Sequence, residues 1–277
     1  MTQKQIKNIT DRHYKQLNKL IKKIDRQLTK KDIHQFRVEY KQLRAFLRMI
    51  SMECTMTREI KIGKNLKNTY HILGTIRDLQ LQIKNIRAAT KQDPIKPKEY
   101  LSLLQKEINK LQITLVEILL NKPVTRSQKK TDALLPKKFP LKDLSIFIKK
   151  KQANINAIIT AGNFRDDNIH TIRKQLKDLY YNLNTFEKIR IGALSIKSIG
   201  AKNKKYLHDI LNSLGNFQDR HIEVDLLKSA ALKSLNTYNQ ELLIRIKKSW
   251  LKDKANMKQL LVNKMKAEMN SLPPSDL

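Results

Sequence analysis

Cysteine, glycine and proline are scarce in this sequence of 277 residues. The single cysteine, Cys54, excludes an intrachain disulfide framework and indicates a reducing compartment. With only 6 glycines and 7 prolines, the chain keeps long stretches without helix breakers. No apolar run approaches the roughly 18 residues of a membrane-spanning helix, and the polar N-terminus lacks the apolar core of a signal peptide. We therefore expect a cytoplasmic protein without a membrane span.

Acidic residues are also few, so the chain carries a large positive charge. There are 57 lysines and arginines against 25 aspartates and glutamates, and the formal net charge is +32. Such a charge favours anionic partners. Nucleic acid, an inorganic polyanion and an anionic membrane all fit the charge alone.

The helical spacing of apolar residues between the prolines predicts an all-α protein with two units of four helices each. The expected fold is two antiparallel four-helix bundles. The predicted domains are residues 1–120, a lysine-rich linker 121–140, residues 141–268, and a loose tail 269–277. The predicted helices cover 10–28, 30–52, 56–90, 97–120, 141–161, 166–190, 198–232 and 237–268. A capping pair of Thr29 and Asp32 marks the start of the second helix.

The second predicted helix carries a row of basic residues. These recur at steps of three and four, which places them on one stripe: His34, Arg37, Lys41, Arg44 and Arg48. An apolar stripe lies beside them, formed by Phe36, Tyr40, Leu43, Leu47 and Ile50. The only acid of the segment, Glu39, should point away from the row. Because like charges at this spacing destabilise a helix by about 0.2–0.5 kcal/mol per pair, the row favours a polyanionic ligand over a solvated basic face.

The same pattern returns 136 positions later, in His170, Arg173 and Lys177. The apolar stripe returns with it, whereas the basic row changes to Tyr180 and Asn184. A second matched pair consists of two Leu-Gly segments, which place Asp78 four residues after Gly74 and Asp219 four residues after Gly215. The matched segments indicate a duplicated unit of roughly 140 residues.

Two further features have more than one interpretation. The first predicted helix has its own basic stripe, which is either a solvated outer face or part of a binding site: Arg12, Lys15, Lys19, Lys22 and Arg26. Gly74 and Gly215 lie within helices, and we expect them to allow close helix–helix approach, with Asp78 and Asp219 pairing an arginine or capping backbone.

No motif for bond-breaking chemistry is evident. The sequence has no His-Glu-x-x-His, cysteine pair, glycine-rich phosphate loop or Gly-x-Ser-x-Gly elbow, so we expect no metal, no cofactor and no enzymatic activity. Apart from Tyr180 and Tyr181, no aromatic residues interleave with the basic rows. Nucleic-acid binding would therefore rest on backbone phosphates and be unspecific.

The motif His34-x-x-Arg37-Val-x-x-Lys41-x-x-Arg44-x-x-Leu47, followed by Leu73-Gly74-x-x-Arg77-Asp78, resembles the signature of the CHAD family of conserved-histidine α-helical domains. The segments at His170 and Leu214 resemble its second half, and the resemblance spans about residues 5–268. It implies two pseudo-symmetric four-helix bundles whose basic faces meet around a central channel that binds inorganic polyphosphate. It assigns phosphate contacts to these residues: His34, Arg37, Lys41, Arg44, Arg48, His170, Arg173, Lys174 and Lys177.

The second half departs from the family pattern. Tyr180 stands where an arginine is common, and Gln218 replaces the arginine of Leu-Gly-x-x-Arg-Asp. Some family members carry a triphosphate tunnel metalloenzyme domain, but the Glu-x-Glu-x-Lys motif of that domain is missing here. The expected function is therefore non-catalytic polyphosphate binding, with association to polyphosphate granules left open. The alternative is an architectural protein that binds nucleic acid without sequence specificity.

Overall fold

The computed structural model describes residues 1–51, 59–189, 201–228 and 235–269. In these ranges the regular secondary structure is helical, with one isolated bridge between Thr2 and Lys138. The all-α prediction is therefore confirmed. The helices are α1 Gln3–Arg26, α2 Lys30–Ile50, α3 Lys64–Ala89, α4 Lys98–Leu120, α5 Pro123–Asp132, α6 Leu141–Thr160, α7 Asp166–Ile189, α8 Ala201–Leu226 and α9 Thr237–Met269.

Local capping explains where the first two helices begin. Thr2 and Gln5 form a capping box, so α1 starts well before the predicted residue 10. Thr29 accepts the backbone N–H of Asp32 at 3.0 Å and donates its hydroxyl to that carboxylate at 2.6 Å, as predicted for the start of α2. The predicted helix ends within 52–58, 190–200 and 229–234, and residues 270–277 of the predicted tail, lie outside the described residues.

The chain divides into two compact units. Unit 1 comprises Met1–Pro140 and Leu226–Ile246, and unit 2 comprises Leu141–Asp225 and Lys247–Leu277. The first residues of α9 thus belong to unit 1 and the remainder to unit 2. The segment 121–140, expected as a linker, belongs to unit 1 and contains α5.

Helix α5 is held in unit 1 by polar contacts. The hydroxyl of Tyr14, which is fully buried in α1, lies 3.1 Å from the Ser127 hydroxyl and 2.6 Å from the Thr131 hydroxyl. Ser127 also accepts the backbone N–H of Gly63 at 3.0 Å, just before α3 begins. These bonds place α5 against both α1 and α3.

The apolar stripe of α2 forms much of the core of unit 1. All five predicted members are buried: Phe36, Tyr40, Leu43, Leu47 and Ile50. In α7 the corresponding Ile172, Leu179 and Phe186 are buried, whereas Leu176 and Leu183 are partly exposed. Among the described residues, no helix is long and apolar enough to cross a membrane.

Candidate functional site

The basic row of α2 lies along the edge of the buried stripe. Because α2 packs against both α1 and α3, its apolar side is covered and the row is left at the surface of unit 1. His34 is exposed, and the other four members are partly exposed: Arg37, Lys41, Arg44 and Arg48. The row therefore presents guanidinium and ammonium groups that an anion can reach.

The one acidic residue within the row's span is bound elsewhere. Glu39 Oε1 lies 2.6 Å from Nδ1 of His13 on α1, and the His13 side chain is only 6% exposed. This contact turns the Glu39 carboxylate towards α1, as expected from its position on the helix. The Glu39 carboxylate is thus paired with a side chain of α1.

Two arginines of the row lie beside a pair of aromatic rings. The rings of Tyr40 on α2 and Tyr70 on α3 stack with centroids 4.2 Å apart. Arg37 Cζ lies 5.3 Å from the Tyr70 centroid, and Arg44 Cζ lies 5.9 Å from Tyr40 and 5.8 Å from Tyr70. Cation–π attraction at such distances favours defined positions for both guanidinium groups. Burial raises the pKa of Tyr40 to about 12, so its ring stays neutral.

Gly74 provides space for Arg37. A Cβ at Gly74 would collide with the Arg37 guanidinium, whose Cζ would lie 3.2 Å away. The predicted close approach of two helices is therefore wrong here, because the group that needs the space is the end of a side chain. At Gly215 no described atom lies within 4 Å of the corresponding Cβ, so the same prediction is wrong there too.

Helix α3 adds basic residues that the sequence analysis did not assign to the site. The pKa of His71 is lowered by its burial, and then by the charges of Lys67, Arg44 and Arg37. Lys67 therefore belongs to the same positive cluster as the two arginines of α2, and His71 lies beside that cluster. Their spacing of four, followed by Gly74 three residues later, was the available signal.

In unit 2, the histidine of the α7 row is held by Gln218. His170 Nδ1 lies 2.6 Å from Gln218 Oε1 on α8. An amide oxygen only accepts, so Nδ1 carries the proton in this contact, which does not involve Nε2. Gln218 thus orients the His170 ring, a contact that its departure from the motif concealed in the sequence.

The surroundings of His170 disfavour its charged form. Its pKa is lowered first by burial, and then by Lys174 and Arg173, while the bond to Gln218 opposes the shift. Burial is thus a larger cause of the shift than the neighbouring positive charges. His170 is therefore largely neutral near pH 7 in the empty protein.

In α7, as in α2, the acid beside the basic row is paired with a side chain of the preceding helix. Lys174 is exposed, and Arg173 and Lys177 are partly exposed. The buried carboxylate of Asp178 accepts a bond from Lys151 on α6 at 2.9 Å, which neutralises the acid next to Lys177.

The N-terminal end of α7 contains an ion-pair cluster that was not predicted. Asp166 Oδ2 lies 2.6 Å from Lys254 Nζ, and Oδ1 lies 2.8 Å from Lys258 Nζ, both on α9. His221 Nδ1 on α8 lies 3.5 Å from Oδ2. Burial raises the pKa of Asp166, but the bonds to the two lysines outweigh it and lower the pKa to about 2.

The stripe of α1 is a separate basic surface. All five of its members are exposed: Arg12, Lys15, Lys19, Lys22 and Arg26. Within the described part of the chain, no group of three or more metal-ligating side chains comes together. The charged rows supply hydrogen-bond donors, and their chemistry is suited to holding anions.

Comparisons with known proteins agree with this geometry. The structure is similar to the crystal structure of the CHAD domain from the plant Ricinus communis, with a TM-score of 0.75. The two sequences are 17% identical, and the similarity covers 99% of this chain and 93% of the plant chain. A search among curated proteins found no match. The family model of the CHAD domain matches residues 8–228. The chain therefore belongs to the CHAD domain family.

Proposed function

We propose that this protein binds inorganic polyphosphate without cleaving it. The CHAD family is associated with polyphosphate binding in general. The proposed contacts are the rows of α2 and α7: His34, Arg37, Lys41, Arg44, Arg48, His170, Arg173, Lys174 and Lys177. Charge-assisted hydrogen bonds from these side chains would hold successive phosphates.

The observation that carries the proposal is the arrangement of the α2 row. Its acid neighbour is bound to α1, and Arg37 and Arg44 lie against stacked tyrosines. A helix rises 1.5 Å per residue, so the row extends about 21 Å along the helix axis. A row of this length fits a linear polymer better than a compact anion.

Titration calorimetry with phosphates of different length tests this proposal. Long polyphosphate should bind much more tightly than ATP or orthophosphate, because each added phosphate makes contacts without a new cost of association. Affinity should fall steeply as salt increases, as counterion release requires. Equal affinity for short and long phosphates would contradict binding along a row.

The proposal retains the expected pair of pseudo-symmetric bundles and their shared channel. If one polymer engages both rows, charge reversal in either row should weaken a single binding event rather than remove one of two independent events. Calorimetric stoichiometry with chains of defined length makes this distinction. Assays for phosphate release with Mg²⁺ or Mn²⁺ test the non-catalytic part, since any release that depends on this protein would contradict it.

The exposed row of α1 favours a second candidate, unspecific binding of nucleic acid. An open basic surface suits the backbone of a duplex. Competition between polyphosphate and duplex DNA distinguishes the two functions. Charge reversal at Lys15, Lys19 and Lys22 should weaken binding to DNA but not to polyphosphate if the two ligands use different rows.

A further inference from the structure

The cluster around Asp166 continues the α7 row. Asp166 precedes His170 by four residues, so it lies on the same stripe as His170 and Arg173. On α8, His221 follows Gln218 by three residues. The contacts His170–Gln218 and Asp166–His221 both join α7 to α8 and lie about one helical turn apart. Asp166 thus occupies the position that precedes His170 in the row, and it is an acid in a row of basic residues.

Two lysines of α9 reach that position. Lys254 and Lys258 are one helical turn apart, and both contact the Asp166 carboxylate. Two ammonium groups on one carboxylate leave one positive charge in excess. His221 also faces a second acid, Asp225, at 3.9 Å. The side chain of Lys258 is 35% exposed, so solvent and solutes can reach the cluster.

We propose that Lys254 and Lys258 are additional phosphate contacts of the α7 row, and that Asp166 is an internal anion that occupies them in the empty protein. This inference rests on the proposed polyphosphate binding. Each ammonium has three N–H donors, and the contact with Asp166 uses one of them. A polymer already bound at His170 would present its next phosphate at high effective concentration, and so could compete with the carboxylate.

The released carboxylate would keep a favourable position. Asp166 is the first residue of α7, where the helix dipole stabilises negative charge even without the lysines. The exchange therefore replaces one anion by another at the two ammonium groups. Asp166 therefore weakens binding, because the polymer gains only the difference between the lysine–phosphate contact and the lysine–Asp166 contact that it replaces.

The first test removes the two lysines. K254M/K258M keeps the aliphatic chains and should lower polyphosphate affinity by about tenfold, with a weaker dependence on salt. The matched control K248M/K252M removes the same charge from exposed positions of α9 and should change affinity by less than about twofold. Equal losses in the two pairs would overturn the assignment of these lysines.

The second test removes the competing carboxylate of Asp166. Asp166→Asn should raise affinity several-fold, beyond the gain of Asp209→Asn, which removes one exposed acid from α8 in the same unit. The additional gain should vanish when Lys254 and Lys258 are already methionine. A gain no larger than that of Asp209→Asn, or one that survives without the lysines, would refute the competitor role.

These outcomes separate the inference from the proposed function. Wild-type protein that fails to bind long polyphosphate would remove the proposed function and the inference with it. If the wild-type protein binds long polyphosphate but K254M/K258M and K248M/K252M lose the same affinity, the inference alone is refuted. Circular dichroism and thermal melting of each variant establish that it is folded. If Asp166→Asn melts below the assay temperature, the lysine comparison decides.

Discussion

At the scale of single residues, Gly74 and Gly215 allow the effect of the Arg37 position on binding to be tested. They are equivalent in the sequence repeat, but only Gly74 has Arg37 over it. Gly74→Ala should displace the Arg37 guanidinium and lower polyphosphate affinity by about threefold to tenfold, whereas Gly215→Ala should leave affinity unchanged. Both changes replace a helical glycine, so each can gain up to about 1 kcal/mol of stability. Equal binding by the two variants, measured by calorimetry, would show that the position of Arg37 is unimportant.

His170 gives a prediction of pH dependence at the same scale. Its pKa is lowered in the empty protein, so the unfolded chain binds the proton more readily near pH 6. The empty protein should therefore lose stability as pH falls through the ordinary histidine pKa of about 6.5. A bound phosphate favours imidazolium instead, so polyphosphate affinity should rise between about pH 8 and pH 6.

Calorimetry in two buffers of different ionisation enthalpy should detect proton uptake on binding near pH 7. His170→Gln keeps a hydrogen-bond donor but cannot gain charge, so both the uptake and part of the pH dependence should decrease. An additional His34→Gln change should remove any contribution from the α2 row. An unchanged profile in the double variant would assign the histidines to hydrogen bonding alone.

At the scale of elements, helix α5 depends on hydroxyl groups rather than an apolar stripe. Replacing Ser127 with Ala and Thr131 with Val would leave the buried Tyr14 hydroxyl without these two partners, at a cost of about 1–3 kcal/mol. Denaturant unfolding should show this loss. Adding Tyr14→Phe should recover the part of the loss that comes from this hydroxyl, whereas the backbone N–H of Gly63 stays without its Ser127 acceptor. If the triple variant is less stable than the double variant, these bonds do not hold α5.

The same helix shows what the sequence could and could not reveal. The stripe of α2 was predictable because apolar residues at steps of three and four leave little choice of buried face. Helix α5 lacked such a stripe, since Ser127 and Thr131 are buried by pairing with a tyrosine more than a hundred positions away. Periodicity within a segment cannot disclose a partner on another helix.

In the candidate site, too, some features were predictable from the sequence and others depend on contacts between helices. The α2 row was visible from its spacing, but the stack that positions Arg37 and Arg44 combines Tyr40 with Tyr70 of α3. The partnership of His170 with Gln218 likewise joins two helices. Which cations form a surface follows from composition and period, whereas what orients each cation depends on tertiary contacts.

At the scale of the whole molecule, the net charge of +32 poses the main question about binding. A protein this basic attracts any polyanion, so affinity alone does not identify a site. Charge reversal at Arg37, Lys41 and Arg173 should abolish tight polyphosphate binding. The matched control reverses three exposed lysines outside the rows, Lys106, Lys129 and Lys130, and changes the net charge by the same amount.

The two triple variants should differ in affinity and in salt dependence. The control should keep most of its affinity at moderate salt, because salt screens the attraction of exposed charges that do not contact the polymer. The row variant should lose binding while its helical circular dichroism remains, since none of its three side chains belongs to the buried core. Polyphosphate titrations at several salt concentrations compare them directly. If both variants weaken binding equally, the overall field of the protein determines its affinity. If only the row variant does, the positions of its cations determine it, and the excess charge serves to attract the polymer.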